Sequence, residues 1–410
     1  MTVQETRIAL RNAGKIDPQS IEDYIAKGGY EALRKARTMD QAVLIDEIEK
    51  ASKLRGRGGA GFNTGFKWSG ARASEGDVKY VVCNGDEGEP GTFKDRYILE
   101  NDPHTVLEGV LIAAYAIGAS NAIIYVRGEY EHQIGLLREA IRQAQEKGLT
   151  DGVDVCVYTG AGSYVCGEET ALLNSIEGLR AEPRLKPPFP TVKGAFGKPT
   201  VVNNVETFAN VPMIVKEGAA WFAGIGNEAY PGTKIFSVSG DIKNPGCYEV
   251  STDVTLEDIV NGLAGGVREG HTLKAIQLGG SSCGYIKADE LSLSVAFDSL
   301  RAAGKSLGSG AVLALDETRD MVLQVQQILH FFAHESCGKC TPCREGLYQA
   351  CKCIDRFAES NAAQEDLDML LRLSDMMAMD CFCPLGQGAL TAFRSTYENF
   401  PEEFKQRMVN

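Results

Sequence analysis

Apolar residues along this chain fall into two patterns, short continuous runs and longer stretches with helical spacing. Residues 1–54 are polar and helical in rhythm, with predicted helices at 21–26, 30–37 and 40–54. After a glycine-dense stretch, strand-like runs at 78–83, 122–126 and 153–158 alternate with helical ones at 105–118, 131–147 and 167–177. That order predicts a mainly parallel sheet with helices on its faces. Near Pro231 the rhythm changes. Residues 233–239 and 247–250 read as a hairpin about the turn 241–246, followed by a short helix at 255–263 and a strand at 273–278. This β-β-α-β order suits a small β-grasp-like module. From Val312 onward the spacing is helical, over 319–334, 343–360, 365–377 and 388–399, which predicts a small four-helix bundle.

At 410 residues the chain is too long for one compact core. The pattern divides it into a helical segment (1–54), an α/β unit (55–230), the β-grasp-like module (231–311) and the bundle (312–410). A net charge of −13 argues against a nucleic-acid binder or a basic membrane-surface protein. The apolar run 109–126 is interrupted at Gly118–Asn121, so it reads as a buried helix, a turn and a buried strand, not a membrane span. No secretory signal opens the sequence, so the expected location is cytoplasmic, and the twelve cysteines are expected as thiols or metal ligands.

Seven of the twelve cysteines lie between Cys337 and Cys383. Cys337, Cys340 and Cys343 share two-residue gaps, and three thiolates so spaced can hold one corner of an iron–sulfur cube, with Gly338 allowing a tight turn. Leu347 stands where a ferredoxin would place its fourth ligand, so that ligand must be remote; Cys383, followed by Pro384, is the best candidate. A zinc site pairing Cys337 and Cys340 with Cys381 and Cys383 is the bland alternative. Cys351 and Cys353 read as packed helix thiols, and Cys83, Cys156, Cys166, Cys247 and Cys283 as structural.

Gly56-x-Gly58-x-x-Gly61 matches a dinucleotide fingerprint only formally, because a charged helix precedes it where a strand is required. The glycines still let backbone approach a flat or phosphorylated ligand, and Arg57 and Lys67 add positive charge. The strand at 78–83 runs into Asn84-Gly-Asp-Glu-Gly-Glu-Pro-Gly91, an acidic loop that suits sugar hydroxyls or a flavin edge, or else a solvated turn. A third glycine-bearing turn, 160–164, follows the strand at 153–158. Three such turns at strand ends and helix starts imply one shared cleft.

Six motifs in order carry a family resemblance: Gly56-Arg-Gly-Gly-Ala-Gly-Phe62 with Lys67-Trp68; Asn84–Gly91; Tyr164-Val-Cys-Gly-Glu-Glu-Thr170; Lys186-Pro-Pro-Phe-Pro190; Val202-Asn-Asn-Val-Glu-Thr207; and Glu335-Ser-Cys-Gly-Lys-Cys-Thr-Pro-Cys-Arg-Glu-Gly346. Together they resemble the NADH-binding flavoprotein subunit of respiratory complex I, a family that includes diaphorase subunits of NAD-linked hydrogenases and formate dehydrogenases. The resemblance implies FMN, one [4Fe–4S] cluster and NAD(H), with a Rossmann-like FMN/NADH domain, a β-grasp domain and a cluster-bearing four-helix bundle. By position, FMN contacts fall on Arg57, Gly58, Gly59, Lys67, Asn84, Asp86, Glu87, Gly167, Asn203 and Asn204. NADH contacts fall on Phe62, Glu89, Tyr164, Glu169 and Phe189. Glu168 joins the cofactor contacts, Glu89 and Lys67 are the candidate catalytic groups, and the implied cluster ligands are Cys337, Cys340, Cys343 and Cys383. Ser69-Gly70 stands where some members carry an aromatic, and Cys381 competes in position with Cys383.

The implied chemistry is hydride transfer between NADH and FMN, then single-electron transfer through the cluster to a partner. Implied partners are a small [2Fe–2S] thioredoxin-like subunit and a larger iron–sulfur subunit of one complex. Hydride transfer needs no acid–base residue, so five histidines in all are no obstacle. Glu169 near a ribose would accept its hydroxyls and repel a 2′-phosphate, favouring NADH over NADPH. Rival readings are a scaffold with a structural cluster, an electron-bifurcating subunit, and a stand-alone NADH oxidase.

Overall fold

The computed structural model describes residues 3–409. Its first sheet is parallel, built from β1 (Tyr80–Gly85), β2 (Asn121–Val126), β3 (Asp154–Thr159) and β4 (Thr200–Asn204) in the order β3-β2-β1-β4. The chain winds outward through β2 and β3 and then returns to the other side of β1. The strand order therefore switches between β1 and β4, where Asn84 pairs with Asn204 at the carboxyl ends. In open α/β sheets such a switch point opens a ligand crevice.

The helices on this sheet are α1 (Thr64–Ala73), α2 (Pro103–Ile117), α3 (Glu131–Glu146), α4 (Glu169–Ile176) and α5 (Val205–Glu217). Helix α2 carries the long apolar run of the sequence. Asp102 caps its start by accepting the Thr105 N–H, Pro103 opens it, and Gly118 ends it in the left-handed conformation. It lies so close to α5 that a β-carbon on Gly109 would sit 2.1 Å from the Phe208 carbonyl oxygen. Among the described residues no helix is long and apolar enough to cross a membrane. The N-terminal segment packs into the same core through Ile8, Leu10, Tyr24, Tyr30, Leu33 and Leu44.

The second sheet is mixed. β5 (Thr233–Gly240), β6 (Gly246–Ser251), β7 (Leu273–Leu278), β8 (Tyr285–Lys287) and β9 (Ala311–Asp316) lie in the order β8-β7-β9-β5-β6, with β9 parallel to β5. This corrects the helical expectation from Val312 onward. Val312 and Ala314 are buried in this unit, and a strand covered on both sides has no polar alternation to distinguish it from a helix start. The short helix expected at 255–263 is present over 256–263, with Asp258–Leu263 wound as a π-helix.

The C-terminal region packs α6 (Met321–Glu335), α7 (Thr341–Ala358), α8 (Gln364–Asp380), α9 (Pro384–Gly388) and α10 (Thr391–Asn399) about Phe332, Leu347, Ile354, Leu370 and Phe393. The helix expected over 388–399 is α10, which starts three residues later, and the short α9 precedes it across Ala389-Leu390.

Candidate functional site

The carboxyl ends of β1 and β4 meet the glycine loop and the turn before α4. Asn84 Nδ2 donates to the Gly167 carbonyl (2.9 Å), and Asn204 Nδ2 donates to the Asn84 carbonyl (3.3 Å) and to Asp95 Oδ2 (2.7 Å). A β-carbon on Gly58 would lie 2.9 Å from Asn204 Cβ, so the glycine loop reaches this edge only because it lacks one. Buried Asn203 accepts from the indole N–H of fully buried Trp68 (3.0 Å), which fixes α1 across the end of β4.

Asp86 sits in this crevice with its Oδ2 buried and without a hydrogen-bond partner. Burial pushes its carboxyl up to about 7. Gly167 faces it, the nearest atoms to a β-carbon there being the Asp86 carbonyl oxygen at 3.5 Å and Oδ2 at 3.9 Å. The Arg57 guanidinium is buried over the Tyr230 ring, 4.2 Å from its centroid, and donates to the Pro231 carbonyl; its Nε and Nη1 have no partner. Glu87 is turned away from the crevice. Its carboxylate accepts the Asp95 and Arg96 N–H groups (2.8 and 3.0 Å) and the Tyr130 hydroxyl (3.1 Å), so it acts as a helix cap. Glu168 caps α4 by accepting the Thr170 and Ala171 N–H groups, each at 2.9 Å.

Lys67 projects from α1 to donate to Glu169 Oε2 (2.9 Å) and to the Val202 carbonyl (2.7 Å). Lys186 donates to the other Glu169 oxygen (2.9 Å) and to Glu168 (3.0 Å). Burial would raise the Glu169 carboxyl, but these two ammonium groups hold it down at about 2. Phe62 and Phe189 are exposed, at 54% and 55% of their surface, and Phe66 stands edge-on to Phe62. Exposed aromatic faces beside a polar crevice are what a nucleotide base would stack on.

Glu89 is half-buried and oriented from two sides. It accepts the Tyr164 hydroxyl (2.5 Å) and the Ser282 N–H (2.8 Å), and burial raises its carboxyl above the usual range. The Tyr164 ring packs edge-on against Phe331 of α6, and its N–H donates to Glu335 at the end of that helix (2.9 Å).

Just beyond Glu335, the hollow between α6, α7 and α9 is lined by Cys337, Cys340, Cys343 and Cys383, with Pro183, Lys339 and Phe382. Cys340 and Cys383 sit at the N-caps of α7 and α9, and Cys343 in the first turn of α7, where helix N–H groups favour thiolate. Cys381 is not part of the lining but lies beside Cys343. A hydrogen bond from Cys381 draws the Cys343 thiol down to about 7, whereas burial pushes Cys383 up to about 11. Among the described residues no three thiol sulfurs lie within 4.8 Å of one another. The trio that is that tight, His271, Asp316 and Glu317, adjoins Arg268 and Arg319, which both pair with Asp241.

Several residues of the site carry no signal in the sequence. Lys186 was legible only as part of a motif. Lys94 and Lys234, both buried, converge on Glu206 at 3.1 and 2.7 Å, joining the end of β4 to the second sheet. Thr207 accepts the Arg57 N–H (2.9 Å), and Ser282 and Glu335 reach the cleft from distant segments. Only the fold brings these groups together.

Comparison with known proteins agrees with this geometry. Residues 49–213 match the model of the Nuo51 FMN-binding domain, 234–312 that of the SLBB domain, and 324–407 that of the NADH-ubiquinone oxidoreductase-F iron-sulfur binding region. The chain is 48% identical to an NADH-quinone oxidoreductase subunit of Rhizobium meliloti (strain 1021), over 97% of this chain and 96% of that protein. It is 45% identical to the NADP-reducing hydrogenase subunit HndC of Solidesulfovibrio fructosivorans, over 98% and 83%. Among solved structures, NAD+-reducing [NiFe]-hydrogenase in the H2-reduced state superimposes with a TM-score of 0.88 at 35% identity, covering 99% of this chain and 67% of that one.

Proposed function

Because the chain belongs to the family of the Nuo51 and NADH-ubiquinone oxidoreductase-F proteins, we propose that it exchanges electrons between NADH and FMN and relays them singly, through a [4Fe–4S] cluster, to a partner subunit of a larger redox complex. The observation that carries this reading is the continuity of the site. Glu89, on the acidic loop with Asp86, accepts the Tyr164 hydroxyl, and the Tyr164 N–H donates to Glu335, two residues before Cys337 in the cysteine-lined hollow. When bound, FMN converts between two-electron and one-electron transfer, and the cluster conducts single electrons.

The residues present fit both groups. The unpartnered Asp86 oxygen and the glycine cradle at Gly58, Gly59 and Gly167 suit a hydroxyl-rich flavin chain brought close to backbone. Asn84, Asn203 and Asn204 supply amides at the same edge, and Arg57 stiffens the glycine loop from behind. Lys67 holds Glu169 ionised at the mouth, where its carboxylate would accept ribose hydroxyls, and Phe62 and Phe189 offer stacking faces. Lys67, paired with Glu169, and Glu89, held by Tyr164 and Ser282, are groups we assign to placing the nucleotide at the flavin, with no proton transfer asked of either. Cys337, Cys340, Cys343 and Cys383 would hold the cluster, with helix N-termini, Lys339 and Arg344 offsetting its negative charge. We read the three units as a Rossmann-like domain with the described part of the N-terminal segment, 3–54, packed on it, a β-grasp module extended from 311 to Asp316 to include β9, and a four-helix cluster bundle. The partners we infer are a small [2Fe–2S] thioredoxin-like subunit and a larger iron–sulfur subunit.

Anaerobic titration of the purified protein with NADH, followed optically, tests the reading. Bleaching of the flavin band with further loss of broad iron–sulfur absorbance is expected. A flavin band that NADH leaves unchanged would overturn it.

A further inference from the structure

Two loops of the second sheet close over the crevice. The loop 279–283 follows β7. Gly280 has φ of +106°, and a β-carbon there would lie 2.3 Å from Glu89 Cγ and 2.6 Å from its Oε1. Two residues on, the Ser282 N–H donates to that same carboxylate at 2.8 Å. The loop 306–310 supports it from below. The Ser309 N–H and hydroxyl both donate to the Gly279 carbonyl (3.0 Å each), and the Ser309 hydroxyl also meets Thr92 Oγ1 at 2.5 Å, just past the acidic loop. The Thr92 N–H in turn donates to the Glu89 carbonyl at 3.0 Å. Close packing continues to the glycine loop, since a β-carbon on Gly59 would lie 3.6 Å from Gly308. Glu89 is thus held at both ends by one hydrogen-bonded circuit, and its side chain fits only because position 280 carries no side chain.

We propose that loops 279–283 and 306–310 form a positioning element for nucleotide binding, in which Gly280 and the Ser282 amide set the orientation of the Glu89 carboxylate at the NADH site. The proposal rests on the reading of Glu89 as a nucleotide contact. The second-sheet module is then a wall of the cofactor cleft, not a spacer between it and the bundle. A carboxylate locked before the nucleotide arrives loses no rotamer freedom on binding, which lowers KM without touching the chemical step.

The test is a cycle in the cofactor-loaded protein, using Gly280→Ala, Glu89→Ala and both together, with steady-state reduction of ferricyanide by NADH. Gly280→Ala is expected to raise the KM for NADH roughly tenfold with kcat within about twofold, as loss of binding common to ground and transition states should do. In the Glu89→Ala background the same substitution should change KM by less than about twofold, because nothing remains to be displaced. An unchanged KM in Gly280→Ala, or equal KM changes in both backgrounds, would overturn the positioning role. Glu89→Ala with wild-type kinetics would instead overturn the assignment of Glu89 to the nucleotide site. If Gly280→Ala does not yield folded protein, Ser309→Ala takes its place in the cycle, with an expected KM increase of roughly threefold that vanishes without Glu89; equal increases in both backgrounds count against the proposal.

Discussion

Substituting Glu169 by Gln removes one negative charge and leaves two ammonium groups facing each other. Lys67 and Lys186 each lie 2.9 Å from that carboxylate, with side-chain exposures of 19% and 29%, and 24% for Glu169 itself. Both lysines keep a second acceptor, the Val202 carbonyl and Glu168 respectively, so the local fold is retained. An ammonium–anion pair at about 4 Å is worth roughly 4 kcal/mol at an effective dielectric of about 20. Partial exposure reduces the net effect of handing the lysines from Glu169 to a 2′-phosphate to about 1–2 kcal/mol. The preference for NADH over NADPH, as the ratio of kcat/KM values, is therefore expected to fall roughly 5- to 30-fold. With its carboxyl held at about 2, Glu169 is ionised at every working pH, so wild-type discrimination should be flat between about pH 5 and 9. The assay is anaerobic reduction of the flavin by each nucleotide, with flavin content matched between variants. An unchanged ratio, or equal losses with both nucleotides, would refute the reasoning.

Cys383→Ser should abolish cluster incorporation, whereas Cys381→Ser should keep the full iron content and the broad visible absorbance; iron analysis of anaerobically purified variants decides between them. Glu206→Gln strips buried Lys94 and Lys234 of a shared carboxylate and should destabilise the protein by roughly 3–5 kcal/mol, read as a lower denaturation midpoint at unchanged slope. In the flavin-free protein, Asp86 titrates near 7 folded and near 4 unfolded, so between those values the folded state binds more protons and stability falls as pH rises. Asp86→Asn removes that penalty and should gain on wild type from pH 5 to 8 in thermal melts, and a constant difference would count against it.

The parts of this fold that could be read along the chain are those whose cause is local. The capped, proline-opened start of α2, the glycine that ends it and the Cys337–Cys343 spacing each state their geometry within a few residues. The strand β4 and the helix α5 were recognisable as a motif but not as elements, because Val201, Val202 and Val205 form a short buried run with no period to read. β9 escaped for the same reason. The roles of individual acids were less legible still: of the five acidic side chains in the three turns, two cap helices, one is clamped, one is ion-paired and one stands unpartnered. A carboxylate looks the same in sequence whichever of these it does.

That distinction bears on how the site works. Glu87 and Glu168 are engaged by N–H groups, lysine or tyrosine, and so fix the loops that carry Asp86 and Glu169. Asp86 keeps a buried oxygen free, which no folded protein does cheaply without a partner to come. Four of these five acids are therefore engaged by protein groups that hold the crevice in shape, and Asp86 keeps an oxygen for a ligand. Burial gives both Asp86 and Glu87 a carboxyl near 7, so the pKa alone would not separate them. Hydrogen-bond occupancy does, and it identifies Asp86, not Glu87, as the side chain whose loss should weaken flavin retention without loosening the acidic loop.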